Sequence, residues 1–220
     1  EINLFQELQI KIKELNNKTN LTRLVDGDDY WVSQVFDSIW SFKAFPNINF
    51  NEKKFLDIGS GCGFPGLAYA IIHPNSEIYL IDSSKKKTDA LKNLVKTINF
   101  QNKINVINDR IENLAHQSSM RNSFDIAAAR AVSNPSTVSE YILPMLKKEG
   151  LGILYRGKWN DQESKNLNKT LEILGGKVVE EKKILLPRNK GNRNIILIQP
   201  RNLCPHIYPR KVGKPEKNPL

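Results

Sequence analysis

Hydrophobic residues in the first 46 positions recur at the spacing of helices. Leu4, Leu8, Ile12 and Leu15 predict one amphipathic helix. A second helix is predicted after the acidic pair at positions 28 and 29, with an apolar face made by Trp31, Val35, Phe36, Ile39 and Trp40. Pro46 and the Asn-rich stretch after it end this pattern. We therefore expect an N-terminal helical extension over residues 1–46.

Between residues 47 and 200 the pattern changes to apolar runs of strand length that alternate with helical stripes. Helical stripes are predicted around Leu91, Leu94, Val95 and Ile98, around Val138, Tyr141, Ile142 and Met145, and around Leu167, Leu171 and Leu174. The apolar runs predict strands at 54–58, 77–82, 103–107, 124–128, 151–155, 178–186 and 194–199. This alternation predicts an α/β, Rossmann-like fold with a mostly parallel seven-stranded sheet and helices on both faces. Residues 187–193 are short enough for a hairpin, so one antiparallel strand is expected.

Several residues mark where helices begin and end. Asn134 is placed as an N-cap, with Pro135 as the first helical residue and Gly150 shortly past the helix end. Gly175 and Gly176 should stop the helix before them. The last segment, residues 201–220, has four prolines and a formal charge of +4. It is too short and polar to fold alone, and we expect a basic, proline-rich tail there.

Composition and charge narrow the class of protein. The chain has 220 residues, of which 40% are hydrophobic, and this apolar content can fill a core. Apolar runs fall short of the roughly 20 residues of a membrane span, and the first residues lack the pattern of a signal peptide, so we expect a cytoplasmic protein without membrane contact. Cys62, Cys204 and three histidines lack metal-ligand spacing, and no metal is expected. The net charge of +10 favours a polyanionic partner, with nucleic acid first, although charge alone does not choose among RNA, DNA and a membrane surface.

The sharpest local feature is the glycine-rich run from Asp57 to Gly66, Asp-Ile-Gly-Ser-Gly-Cys-Gly-Phe-Pro-Gly. It follows a predicted strand and opens a helix, which is where nucleotide-like ligands bind in doubly wound folds. Asp82, at the end of the second predicted strand, can accept hydrogen bonds from both hydroxyls of a ribose. The combination indicates a cofactor that contains adenosine.

Two cofactors remain open at this point. Gly61, Gly63 and Gly66 satisfy the dinucleotide fingerprint, which would make the protein an NAD-dependent oxidoreductase. The spacing Asp57-x-Gly59-x-Gly61-x-Gly63 is instead associated with S-adenosylmethionine (SAM) methyltransferases. Pro65 removes an amide donor that a pyrophosphate would use, and the charge of Asp57 suits a cationic cofactor better. We favour SAM, with a glycine turn that binds no ligand as a further alternative.

The remaining candidate residues bear on the methyl acceptor. Neither cysteine is well placed to attack a cytosine ring, whereas a ring nitrogen such as N7 of guanine needs neither a base nor a covalent step. Arg130 should emerge at the carboxyl end of the sheet, where it could hold a phosphate, a carboxylate or a guanine edge, or form an ordinary salt bridge. Ile111 falls where an adenine would pack. Eight basic residues are expected near the same end of the sheet, where they form either a phosphate-binding rim or an ordinary solvated face. They are Lys85, Lys86, Lys87, Arg156, Lys158, Arg188, Lys190 and Arg193. The basic tail has the same two interpretations, of which RNA contact is slightly favoured.

The glycine loop resembles that of the glucose-inhibited division protein B family, also called RsmG, which consists of bacterial small-subunit ribosomal RNA (guanine-N7)-methyltransferases. The resemblance extends over nearly the whole chain, through Asn20–Thr22, Phe36–Ile39, Leu80–Ser83, Arg130–Ala131, Leu154–Gly157 and Tyr208–Leu220. Four places differ from the family pattern. Cys62 stands where a small residue such as Ala is common, and Ala129 stands where Ser often precedes the arginine. Ser33–Gln34 replaces an Arg-His pair, and Arg156 replaces a common lysine.

The resemblance implies a SAM-dependent enzyme that methylates guanine N7 in the decoding-region loop of 16S ribosomal RNA. Its SAM contacts would fall on Gly59, Phe64, Ile111, Glu112 and Arg130, and Asp82 matches the ribose-binding acid. Together with the loop residues, the expected cofactor site is Asp57, Gly59, Gly61, Gly63, Phe64, Asp82, Ile111, Glu112 and Arg130. Our hypothesis makes Arg130 the candidate catalytic residue, orienting the RNA together with the basic rim. We expect a monomer whose partner is 16S rRNA or the small ribosomal subunit; a non-catalytic RNA-binding or ribosome-assembly factor on the same fold is the alternative.

Overall fold

A seven-stranded sheet forms the centre of the computed structural model, which describes residues 1–220 apart from the side chain of residue 18. The strands are ordered β3-β2-β1-β4-β5-β7-β6. β7 pairs antiparallel with both of its neighbours, and the other pairs are parallel. The mostly parallel sheet and its one antiparallel strand are therefore confirmed. The strands are β1 Lys54–Ile58, β2 Glu77–Asp82, β3 Ile104–Asn108, β4 Phe124–Arg130, β5 Leu146–Arg156, β6 Gly176–Leu185 and β7 Asn192–Pro200.

Helices cover both faces of the sheet, as the alternating pattern predicts. Successive strand residues point to opposite faces, so Phe55 packs into one apolar cluster with α1, α3, α4 and α5, and Leu56 packs into another with α6, α7 and α8. The helices are α1 Ile2–Thr19, α2 Gly27–Tyr30, α3 Asp37–Lys43, α4 Gly66–Ile72, α5 Lys85–Thr97, α6 Ile111–Leu114, α7 Pro135–Ile142, α8 Asp161–Leu174 and α9 Lys214–Lys217.

The predicted second helix of the N-terminal segment is helical but not uniform. A π-helical segment, Trp31–Phe36, joins α2 to α3. π-helical turns are rare in proteins, and those that do occur are often found at functional sites. This one presents the polar residues 33 and 34 toward the carboxyl end of β4, where they contact Arg130.

The predicted cap of α7 is confirmed, but the predicted end of that helix is wrong. Asn134 accepts a hydrogen bond from the Thr137 amide at 2.9 Å, and Pro135 is the first helical residue. The α-helix ends at Ile142, because Pro144 has no amide hydrogen to continue it, and β5 already begins at Leu146. Gly150 consequently lies inside β5, where an added Cβ would stand 2.9 Å from the Phe124 carbonyl oxygen.

Residues 201–220 extend from β7 back across α6 and α7 and include α9. Their contacts are with other parts of the chain, in keeping with a segment too short and polar to fold alone. The division into residues 1–46, 47–200 and 201–220 stays a prediction. Among the described residues, no helix is both long and apolar enough to cross a membrane.

Candidate functional site

A cavity of about 250 Å³ opens at the carboxyl ends of β1, β2 and β4. The strand order reverses direction between β1 and β4, and such switch points are where ligands bind in open α/β sheets. Its wall combines apolar side chains with several carboxylates and two cations. The lining residues are Ile58, Gly59, Ile81, Asp82, Ser83, Lys87, Asp109, Arg110, Ile111, Glu112, Ala131, Val132, Ser133, Tyr141 and Glu216.

The floor of this cavity depends on glycine at position 59. The amides of Gly59 and Ser60 donate to the Ile81 carbonyl oxygen at 2.8 and 3.0 Å, which ties the loop to β2. Gly59 has φ +71°, and an added Cβ would stand 2.6 Å from Cγ2 of Val132. Both the backbone conformation and the close approach of Val132 therefore exclude a larger residue.

Asp57 lies beneath the glycine loop and is fully buried. Its Oδ2 accepts a hydrogen bond from the Gly66 amide at 2.9 Å, at the point where α4 begins. Burial raises the pKa of this carboxyl to about 7, against the opposing effects of the Gly66 amide and the Arg130 charge. A group with that pKa does not supply the fixed negative charge that the sequence argument assigned to it.

This arrangement bears on the choice between the two cofactors. A dinucleotide pyrophosphate binds to free amides at the start of the helix that follows the loop. Here the first helical amide, that of Gly66, is already bonded to the side chain of Asp57 and is not free to bind a pyrophosphate. The geometry weighs against NAD.

Asp82 is the carboxylate best placed to bind a ligand. It ends β2 and lines the cavity, and its side chain is 8% exposed. Oδ2 accepts from the Gly61 amide at 3.0 Å and Oδ1 from the Ser84 amide at 2.8 Å. Since a carboxylate oxygen can accept two hydrogen bonds, each oxygen keeps capacity for a ligand hydroxyl.

Arg130 ends β4, but its side chain turns toward the N-terminal helices. It donates to the Ser33 carbonyl oxygen at 2.9 Å, to Oδ2 of Asp37 at 3.3 Å and to Oε1 of Gln34. Its guanidinium carbon lies 5.9 Å from the centre of the Phe64 ring, within the range of a cation–π contact. The strand-end salt bridge that the sequence left open is thus present, and it joins the glycine loop to the helical extension.

Sequence reasoning missed two polar residues that complete this connection. Gln34 is 2% exposed and donates to Oγ1 of Thr22 at 3.2 Å and to Sγ of Cys62 at 3.3 Å. Gln34 and Cys62, which the sequence leads us to expect as departures from the family pattern, therefore contact each other. Asp37 is 0% exposed and accepts from Nε of Arg193 at 2.6 Å as well as from Arg130. The sequence feature that could have indicated both residues is their position within the otherwise apolar helical stretch from Trp31 to Trp40.

Glu112 faces the cavity and is held in place by two hydrogen-bond donors. It is 3% exposed, and its Oε1 accepts from the Tyr141 hydroxyl at 3.3 Å and from the Gly213 amide at 3.0 Å. Ile111, at the start of α6, is an apolar part of the same wall. Of the predicted site residues, Gly59, Asp82, Ile111 and Glu112 line the cavity, whereas Asp57, Gly61, Gly63, Phe64 and Arg130 lie beneath or beside it.

Much of the predicted basic rim is paired with acidic groups. Arg156 binds Glu163 and the Ser133 carbonyl oxygen, and further ion pairs join Lys190 to Asp29, Arg193 to Asp37 and Lys85 to Asp89. Lys158 and Arg188 are exposed at the same end of the sheet. Among the described residues, no group of three or more His, Cys, Asp or Glu side chains is arranged to hold a metal ion.

Comparison with known proteins identifies the family. The family model described as rRNA small subunit methyltransferase G matches residues 1–195. A relative from Prochlorococcus marinus (strain MIT 9215), named ribosomal RNA small subunit methyltransferase G, is 84% identical over 220 residues, covering 100% of this chain and 93% of the relative.

Solved structures with low sequence identity share the fold. A SAM-dependent methyltransferase from Aquifex aeolicus has a TM-score of 0.56 at 16% identity, over 86% of this chain and 97% of its own. Precorrin-6y C5,15-methyltransferase from Geobacter metallireducens GS-15 has a TM-score of 0.53 at 12% identity, over 81% of this chain and 91% of its own. The chain belongs to the rRNA small subunit methyltransferase G family, and it is a SAM-dependent methyltransferase with a Rossmann-like fold.

Proposed function

We propose that this protein transfers a methyl group from SAM to N7 of a guanine in the decoding-region loop of 16S rRNA. The observation that carries the proposal is the cavity at the switch point of the sheet, with the Asp82 carboxylate at its edge, in a chain of this family. The protein would act in the cytoplasm as a monomer.

The residues around the cavity suit SAM. Asp82 offers acceptor capacity for the two ribose hydroxyls. Ile81, Ile111 and Val132 provide an apolar wall for a purine ring. Gly59 leaves backbone exposed at the floor, in a space that a Cβ would fill. SAM supplies a methyl group on a positively charged sulfur, and the acidic lining favours a cation.

The chemistry then requires orientation more than acid–base catalysis. Guanine N7 has an in-plane lone pair and carries no proton that must be removed before it is methylated. The task of the chain is to hold the base and the methyl donor in line and to exclude water, which is the contribution that positioning makes to a displacement. Tyr141 lies at the cavity with its hydroxyl donating to Glu112 at 3.3 Å, and burial and the Glu112 carboxylate raise its pKa.

Arg130 contributes to this orientation through the N-terminal helices. Its bonds to residues 33, 34 and 37 and its contact with Phe64 couple the loop to the extension. We propose that it sets the position of the loop at the methionine end of the cofactor, and that the adjoining surface receives the RNA.

The RNA backbone would contact the exposed cations on the β5, β6 and β7 side of the cavity. Lys158 and Arg188 are exposed there, and Lys158, Trp159 and Lys183 line a cleft of about 530 Å³ with Asn192 and Asn194. Cations with an aromatic surface are the usual combination for unpaired nucleotides. The net charge of +10 supports a polyanionic substrate.

The test is transfer of labelled methyl from SAM to small ribosomal subunits that lack this modification, with naked 16S rRNA alongside. Incorporation into either substrate supports the proposal and shows which form the enzyme prefers. SAM binding without incorporation into either RNA would refute the substrate, and no SAM binding would refute the site.

A further inference from the structure

The last twenty residues contain a segment that is anchored to the catalytic domain at several buried points. We call residues 204–217 the C-terminal strap. The Arg121 guanidinium, which belongs to a residue 8% exposed, donates to the carbonyl oxygens of Cys204, Pro205 and Tyr208 at 2.7, 3.0 and 2.7 Å. A ring nitrogen of His116 lies 2.8 Å from the Pro209 carbonyl oxygen. These bonds fix the first half of the strap beside α6.

A second anchor fixes the strap to α7. Arg210 forms a bidentate ion pair with Glu140, which is 0% exposed, at distances of 2.7–3.1 Å, and the Arg210 amide also donates to that carboxylate. The Thr137 hydroxyl donates to the Pro215 carbonyl oxygen at 2.9 Å. Buried paired charges of this kind hold a segment in one geometry.

Around the Pro215 anchor the strap reaches the candidate cofactor site. The Gly213 amide donates to Oε1 of Glu112 at 3.0 Å, and Glu216 is itself one of the cavity-lining residues. The strap therefore supplies part of the cavity wall and immobilises another part. It lies outside residues 1–195, the part of the chain that the family model matches.

We propose that the C-terminal strap is a working part of the SAM site, in which Glu216 contacts the cofactor and Gly213 orients Glu112. The inference rests on the proposed function, since it takes this cavity to be the cofactor site. The cavity lining has four carboxylates and two cations, which gives a net charge of −2. The carboxylates are Asp82, Asp109, Glu112 and Glu216, and the cations are Lys87 and Arg110. This negative charge favours a ligand with a cationic sulfur and an amino group. Binding of SAM and closure of the strap then stabilise each other, because coupling between two such equilibria is reciprocal.

The test compares two exposed neighbours on the strap, Glu216→Ala and Lys217→Ala. Neither has a buried side chain, so both variants should fold. Isothermal titration should show SAM bound about threefold to tenfold more weakly by Glu216→Ala, the effect of losing one ordinary hydrogen bond at a solvent-exposed side chain. Lys217→Ala does not line the cavity and should bind SAM like the wild type.

Limited trypsin digestion of the wild type provides a readout that is independent of activity. The bonds after Arg210 and Lys211 lie in the strap, and saturating SAM should slow their cleavage about tenfold or more, because a ligand that binds the closed state suppresses opening. Mass spectrometry identifies these bonds, and cleavage after Arg201, outside the strap, is the internal control.

Equal SAM affinity in Glu216→Ala and Lys217→Ala would overturn the role of Glu216, and strap cleavage that SAM leaves unchanged would overturn the coupling. In both cases wild-type SAM binding would persist. If the proposed cofactor site is wrong, the wild type itself will not bind SAM. If only the proposed substrate is wrong, the wild type will bind SAM but will methylate neither RNA.

Discussion

Replacing Asp57 by Asn tests the role that the structure gives to the residue beneath the glycine loop. The pKa of this buried carboxyl is raised from its ordinary value of 3.8 to about 7. Between these values the folded protein keeps a proton that the unfolded chain has released. Stability therefore falls as the pH rises from about 4 through 7, and it levels off above about pH 8. The loss is about 4 kcal/mol, from roughly three pKa units at 1.36 kcal/mol each.

The Asp57→Asn variant keeps the hydrogen bond from the Gly66 amide at the start of α4 but removes the ionisable carboxyl. The side-chain amide oxygen of Asp57→Asn can still accept from the Gly66 amide, but the new side chain carries no titrating proton. The free energy of unfolding of Asp57→Asn minus that of the wild type should rise by roughly 2 kcal/mol between pH 5 and pH 7. Groups common to both proteins, such as His73, whose pKa is lowered to about 4 by burial, cancel in this difference.

Urea unfolding at half-unit steps from pH 5 to pH 8 measures this difference. Asp89→Asn, at an exposed carboxylate paired with Lys85, is the matched control and should give a flat difference. Parallel stability curves for Asp57→Asn and the wild type would contradict the raised pKa. They would also restore the interpretation of Asp57 as a permanently charged group of the cofactor site.

Three further substitutions probe the site and its support. Asp82→Asn should weaken SAM binding by about 1–3 kcal/mol, the scale of lost hydrogen bonds to a charged group, and unchanged affinity in a titration would remove Asp82 from the site. Gly59→Ala should destabilise the fold by about 1–3 kcal/mol through a strained positive φ and should also impair SAM binding by displacing Val132; a melting temperature equal to that of the wild type would refute this. Asp37→Ala leaves Arg130 and Arg193 without their shared carboxylate. It should lower the free energy of unfolding by about 3 kcal/mol, the lower end of the range for breaking a buried ion pair. A loss below about 1 kcal/mol in urea unfolding would show that these ion pairs are dispensable.

The sequence predicted the elements of the sheet well because buried parallel strands are nearly continuous apolar runs. β1 and β2 have the predicted ends, and β7 is antiparallel as expected from the short connection before it. The start of β5 was missed, because the exposed polar residues 147–149 conceal the first part of that strand. Its pairing with β4 also shifts register between Phe124 and Ile126, which no periodicity reveals.

The parts of the candidate site that follow directly after a strand in the sequence were predictable. The glycine loop and Asp82 follow strands directly, and the parallel sheet brings those strand ends together. The direction of the Arg130 side chain was not predictable, since it depends on Gln34 and Asp37, which are over 90 residues away in the chain. The strap was missed for the same reason: its proline-rich, basic sequence resembles a solvated tail, and only the buried Glu140 and Arg121 show where it binds.

The most direct test of the central claim is the position of the transferred methyl group. Small ribosomal subunits lacking the modification would be incubated with the enzyme and labelled SAM, and the RNA would then be cleaved chemically at N7-methylguanine. We expect one new cleavage site, at a guanine in the decoding-region loop, which carries all of the label. Label on RNA that resists this cleavage, or cleavage at a guanine elsewhere, would contradict it.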